Sequence, residues 1–206
     1  LRNSSAASDV YKRQEWKKIN KDEPWYRGET LITGIGQGFM TASPIQLALA
    51  TGAIANKGNL LTPRVLMHSQ SKDGESYFES QTESKQIPIK NIDNWELIIQ
   101  SMKQTIYGKL GTAKRLNNKL NYTLAGKTGT AQVFGLDPEE EYIAENIDEK
   151  LRDHALFTAF APIDNPQVAI AIIVENAGSG SSKAAPLARS LLDEYFNKYG
   201  VDPDKI

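Results

Sequence analysis

The sequence predicts an α/β domain in which helices flank an antiparallel sheet. Three observations carry that prediction. Residues 167–175 form a nearly unbroken run of Val, Ile and Ala, the composition of a strand covered on both faces. Asp164-Asn165-Pro166 separates this run from a second one at residues 154–162, so the two should pair as an antiparallel hairpin. Apolar residues recur at helical spacing through Trp95, Ile98, Ile99, Met102 and Ile106, and again through Leu187, Leu191, Tyr195 and Phe196.

Taken in order, residues 1–14 are small and polar without apolar periodicity, and read as a non-native or disordered tail with no role in the core. Residues 15–27 place Trp16, Trp25 and Tyr26 among charges and predict an irregular approach. Gly34 to Gly38 reads as a flexible loop. A helix follows, with Ser43 as N-cap, Pro44 at the first position, Gln46 closing a capping box and Gly58 as its stop. Residues 60–67 are expected to be extended and 68–86 to be a polar loop. The next helix starts near Asp93, with Asp93 and Glu96 as its capping box, and 109–118 reads as a turn or short helix. Residues 123–134 are the first strand of the sheet. Ile143, Ile147 and Leu151 give residues 139–153 one apolar stripe, the pattern of a mobile helical lid. A last helix over 182–199 ends at Gly200.

Composition narrows the function. The chain has 206 residues, enough for a domain with a real core, and a net charge of −1, which gives no basis for a nucleic-acid or polybasic membrane partner. No apolar run reaches the roughly 18–20 residues that cross a bilayer. Cysteine is absent, so disulfides and thiolate metal sites are excluded.

The chemical signal is Gly126-Lys127-Thr128-Gly129-Thr130. A phosphate-binding loop needs a glycine at position 121, where Asn121 stands, and a helix after its lysine. Here the lysine is followed by Thr130 to Phe134 and then Gly135 and Asp137-Pro138, which is strand and turn chemistry. The alternative is the K-T-G strand of serine penicillin-recognising enzymes. K-T-G alone is a weak signal; the surrounding text strengthens it.

Glu15-Trp16, Pro24-Trp25-Tyr26, Gly34-Ile35-Gly36-Gln37-Gly38, Thr41 to Gln46 and Gly126 to Val133 together resemble the class B penicillin-binding proteins. Leu151-Arg152-Asp153-His154, Thr158 to Pro162 and Asn165 to Ala169 narrow the likeness to the elongation-type group, the penicillin-binding protein 2 type of rod-shaped Gram-negative cells. It runs from about Glu15 to Phe196. The resemblance implies the C-terminal part of the penicillin-recognising serine transpeptidase (β-lactamase-like) fold, with an incomplete sheet whose residues 167–175 keep an open edge. It implies a peptidoglycan D,D-transpeptidase that crosslinks stem peptides, is acylated by β-lactams and uses neither metal nor other cofactor. A membrane glycosyltransferase partner and a place on the periplasmic face of the inner membrane, through an N-terminal anchor helix outside this chain, are implied in the same way. By resemblance Lys127 brings positive charge to the substrate carboxylate, Thr128 and Thr130 offer hydroxyls, Gly129 lets substrate backbone approach, and the Thr130 N–H is half of an oxyanion hole.

In that family the S-x-x-K nucleophile and the second motif lie upstream of the region matching Glu15, so no catalytic serine or lysine is expected within this chain. Ser69-Gln70-Ser71-Lys72 has the spacing but lies in polar text beside Asp73-Gly74, not at the start of a buried helix. Asp153-His154 reads as a hydrogen-bonding device at the entry of a strand, Glu139 to Glu141 as a solvated face, and Gly178 to Ser182 as a plain flexible turn. Gly34 to Gly38 lacks the spacing and the βαβ setting of a dinucleotide site. Two other functions remain in view: an interaction module without catalysis, and a serine β-lactamase.

Overall fold

The computed structural model describes residues 9–39, 41–66, 68–74, 76–78, 83–133 and 147–201. The chain divides into two compact units, residues 1–43 and 44–206.

The first unit holds α1 (Asp9–Lys21) and α2 (Arg27–Gly34). The sequence predicts a tail up to residue 14 and an irregular approach after it; the backbone is helical from Asp9. The organising residue is Lys17, whose side chain is almost wholly buried. Its ammonium donates to Glu29 at 2.6 Å and to the Pro24 carbonyl at 3.0 Å, and pairs with Glu23 at 3.1 Å. The same ammonium lies 4.5 Å from the centroid of the Tyr26 ring and 5.3 Å from that of Phe39. Burial acts to lower its pKa, but the bonds to Glu29 and Glu23 outweigh burial and hold it above the ordinary value. Glu29 is held below its own range, first by Lys17, and its second oxygen accepts the Tyr26 N–H at 2.6 Å at the start of α2. A buried cation among charged neighbours has no apolar periodicity, so hydrophobic patterning misses this helix.

The second unit opens with α3 (Pro44–Ala55), followed by four short strands, β1 (Asn59–Leu61), β2 (His68–Gln70), β3 (Ser76–Phe78) and β4 (Ser84–Gln86). They form two separate two-stranded sheets: β1 pairs antiparallel with β4, and β2 with β3. The sequence predicts a loop across residues 68–86. These strands have no alternation of apolar and polar residues, so their pairing leaves no trace in the pattern.

Helix α4 (Asp93–Tyr107) buries Trp95, Ile99, Met102 and Ile106. Ile98, placed by spacing on the same face, sits at its margin and is 37% exposed. The expected Asp93–Glu96 capping box does not form. Asn91 Oδ1 accepts the Asp93 N–H at 3.0 Å instead, and Glu96 is bound by Gln100 at 2.8 Å and paired with Lys57 at 3.4 Å. Those partners, Gln100 first and then Lys57, hold the Glu96 carboxyl below its usual range.

The sheet is β5 (Ala125–Ala131), β6 (His154–Ala161) and β7 (Val168–Val174), all antiparallel in the order β5-β6-β7. The register pairs Lys127 with Thr158 and Gly129 with Leu156, and on the other side Ala161 with Val168. The predicted hairpin is therefore present. Among the described residues β7 has no second partner strand, and all seven of its residues are half-buried. One apolar cluster, including Ala55, Ile99, Met102, Ala125 and Phe160, packs α3 and α4 on one face. A second, with Ile106, Leu124, Phe157, Ala188 and Leu192, packs α5 (Ala185–Tyr199) on the other. Complete burial of Phe157, Phe160, Ile106, Leu124 and Leu192 contributes about 1.5–3 kcal/mol each.

The sequence predicts Leu187 and Leu191 on the buried face of the last helix; the structure leaves them 50% and 54% exposed. The buried face is Ala185, Ala188, Leu192 and Phe196. Its two alanines let the helix lie close to the sheet, and counting large side chains selects the wrong face. Arg189 fastens this helix to the preceding chain. It bonds both carboxylate oxygens of Asp193 at 2.7 Å and donates to the carbonyls of Leu116, Asn118 and Lys119. Tyr122 donates to Asp193 at 2.7 Å, and burial, then that carboxylate, push its phenol pKa upward, so it remains a donor.

Candidate functional site

Lys127, Thr128, Gly129 and Thr130 all lie on β5, an outer strand of the sheet among the described residues. Strand alternation puts Lys127 and Gly129 on one face and Thr128 and Thr130 on the other. Lys127 and Thr130 are exposed; Thr128 and Gly129 are half-buried. The Lys127 ammonium curls back to donate to the Thr128 carbonyl. The Thr128 hydroxyl is 2.9 Å from that of Thr112, a residue the sequence does not single out. One strand thus presents an exposed cation, two hydroxyls and a position without a side chain, a set suited to an extended peptide that carries a carboxylate.

Behind this strand lies a π-helical turn, Gly180–Ala184, where the sequence predicts a plain flexible turn. Gly180 is buried against β5. A Cβ on it would collide with the Leu156 carbonyl oxygen and stand 2.5 Å from the Gly129 oxygen and 3.1 Å from the Gly129 nitrogen. Glycine is needed here for space, because the backbone of the turn seats directly on the backbone of the central site residue. Gly-Ser-Gly-Ser-Ser composition says flexible; only the fold shows what the turn touches.

At the far end, Asp153 and His154 form the hydrogen-bonding device expected at a strand entry. His154 Nδ1 accepts the Asn176 N–H at 3.0 Å, and the Asn176 side-chain amide donates to the carbonyls of Lys150 and Arg152, each at 2.9 Å. The Gly178 N–H donates to the Asp153 carbonyl at 2.8 Å. Burial pushes the Asp153 carboxyl above its usual range, although it accepts the Val133 N–H. The end of β5 is thereby tied to the start of β6. Most of the expected lid, residues 139–146, lies outside the described residues, as does Glu139 to Glu141; the part that is described forms a short 3-10 turn, Glu149–Leu151.

Ser69 is the middle residue of the exposed strand β2, opposite Tyr77, and Lys72 is in the turn that follows. Neither opens a buried helix, the setting in which a lysine can draw off a serine proton.

Comparison with known proteins supplies the wider context. The model of the penicillin-binding protein transpeptidase domain matches residues 9–193, a span that takes in six residues of the expected tail. The peptidoglycan D,D-transpeptidase MrdA of Haemophilus influenzae is 40% identical over 185 residues, covering 90% of this chain and 28% of that protein. Its namesake in Escherichia coli K12 is 42% identical over 180 residues, covering 87% of this chain and again 28% of the relative. Among solved structures, Pseudomonas aeruginosa PBP2 in complex with WCK 5153 superposes with a TM-score of 0.69 at 38% identity, covering 93% of this chain and 38% of the other. Helicobacter pylori PBP2 in complex with MreC gives 0.70 at 30% identity, covering 90% and 31%. The chain spans under a third of the length of these curated relatives.

Proposed function

The chain belongs to the family of penicillin-binding protein transpeptidase domains, and on that footing we propose that it supplies one wall of the acyl-transfer site of a peptidoglycan D,D-transpeptidase. The observation that carries this reading is the placement of Lys127, Thr128, Gly129 and Thr130 together on an outer strand of the sheet. A stem peptide lies along β5. Lys127 draws in its terminal carboxylate, Thr128 and Thr130 donate hydroxyl hydrogen bonds to it, and Gly129 leaves room for its backbone.

A serine upstream of this chain attacks the carbonyl of the penultimate D-alanine. Its proton passes to the lysine of its own motif and on to the departing D-alanine amine. The Thr130 N–H and the serine's own N–H hold the oxyanion. The amine of a second stem peptide then displaces the serine ester and completes the crosslink. A β-lactam enters by the same route, but its leaving amine remains tethered. The protein works at the periplasmic face of the inner membrane, held by a helix outside this chain. Its partners are a membrane glycosyltransferase and a protein of the MreC kind, as in the complex of Helicobacter pylori PBP2 with MreC.

The test is D-alanine release. The full-length protein, given a pentapeptide stem and an amine acceptor, is expected to release one D-alanine per crosslink and to stop after stoichiometric acylation by a penicillin. Rapid turnover of the penicillin without crosslinking would make the protein a β-lactamase. Absence of both reactions, with the upstream motif intact, would make it an interaction module.

A further inference from the structure

We propose that Thr112 is a positioning residue, which holds the Thr128 hydroxyl so that its proton points toward a carboxylate on the substrate. The inference deepens the transpeptidase reading and rests on it. The two hydroxyl oxygens are 2.9 Å apart, with Thr112 exposed and Thr128 half-buried, so the pair is open to a ligand.

The position of Thr112 is built by the backbone. After α4 the chain folds back on the end of that helix. The Gly108 N–H donates to the Gln104 carbonyl at 2.9 Å, Gly111 to Gly108 at 2.9 Å, and Ala113 to Thr105 at 3.0 Å. A Cβ on Gly111 would strike the Thr105 carbonyl oxygen and stand 2.6 Å from that of Gln104, so the turn closes this tightly only with glycine. Ala113, the next residue after Thr112, is 2% exposed and anchored in the core. Thr112 is thus held beside β5 from a second, independent element.

A hydroxyl has one proton and two acceptor sites. In an isolated pair either threonine can donate. A carboxylate arriving at the Lys127 ammonium accepts and never donates, so it selects one direction: Thr112 donates to Thr128, and Thr128 donates to the carboxylate. Hydrogen bonds chained in one direction strengthen one another. Without the Thr112 hydroxyl, Thr128 loses the contact that sets its rotamer and must be ordered by the ligand itself.

The experiment compares Thr112→Val, which keeps the shape and removes the donor, with Thr112→Ser in the full-length protein. The readout is the second-order rate constant for acylation by a labelled penicillin and by its neutral methyl ester. Thr112→Val should lower the rate with the free acid about fivefold, the worth of one modest hydrogen bond. Thr112→Ser should restore it to within about twofold, and the ester should not distinguish Val from wild type. Equal rates for Val and wild type with the acid, or an equal loss with the ester, would overturn the proposal. A second measurement needs no chemistry: the order of the Thr128 methyl group in protein selectively methyl-labelled at threonine. It should fall in Thr112→Val and recover in Thr112→Ser. If the wild-type protein takes no label, the transpeptidase reading fails, and the methyl measurement alone decides on Thr112, with unchanged Thr128 order in the valine variant counting against it.

Discussion

Replacing Lys127 with alanine in the full-length protein is expected to slow acylation by a labelled penicillin about 100-fold or more, the usual effect of deleting a charged or hydrogen-bonding group aimed at a reacting substrate. The fold should be nearly indifferent. Among the described residues the exposed Lys127 side chain bonds only the carbonyl of its neighbour Thr128, so its removal leaves none of their buried groups unpaired. Lys127→Arg should recover only part of the rate. A planar guanidinium on a longer stem cannot put its charge where a compact ammonium sits, even though the charge is kept. The check is a time course of covalent label beside thermal unfolding of each variant. A rate within about threefold of wild type for the alanine variant, at unchanged stability, would remove Lys127 from the site.

The second large effect is structural. Gly180→Ala should destabilise the second unit by about 2–3 kcal/mol, the upper part of the range for overpacking. The new Cβ meets the backbone oxygens of Leu156 and Gly129. Backbone in a paired sheet cannot rotate aside as a flexible side chain would, so either the π-helical turn lifts or β5 shifts against β6. A shift of β5 moves Gly129 between Lys127 and Thr130, and lifting of the turn removes the backbone seated on Gly129, so acylation should fall further than the loss of folded protein explains. Denaturant unfolding monitored together with label uptake tests this. A Gly180→Ala protein as stable as one carrying Ser182→Ala, an exposed change in the same turn, would mean that the turn does not bear on the strand.

Much of this arrangement is legible from residues. The K-T-G strand, the hairpin of β6 and β7 and the apolar face of α4 each have a local signature: the motif text, a turn between two apolar runs, and a period of 3.6. The parts that are not legible depend on contacts between distant segments. Lys17 is buried because Glu29, Glu23 and the Pro24 carbonyl surround it, and no pattern in the sequence marks a lysine as interior. The last helix turns Ala185 and Ala188 inward and Leu187 outward because small residues permit close approach. Gly180 and Thr112 sit in text that reads as ordinary turn, and they gain meaning only from the strand they touch. The roles given to Lys127, Thr128, Gly129 and Thr130 came from resemblance to a family; spacing alone would have left K-T-G a weak signal.

The most direct test of the account uses covalent labelling of two proteins side by side. One is residues 15–206. The other extends the same chain upstream through an S-x-x-K motif. With the nucleophile upstream and the substrate strand here, a fluorescent penicillin should label the extended protein alone, and replacing its S-x-x-K serine should abolish the label. Stoichiometric labelling of residues 15–206, abolished by Ser69→Ala, would contradict the account and place the nucleophile on the exposed strand β2.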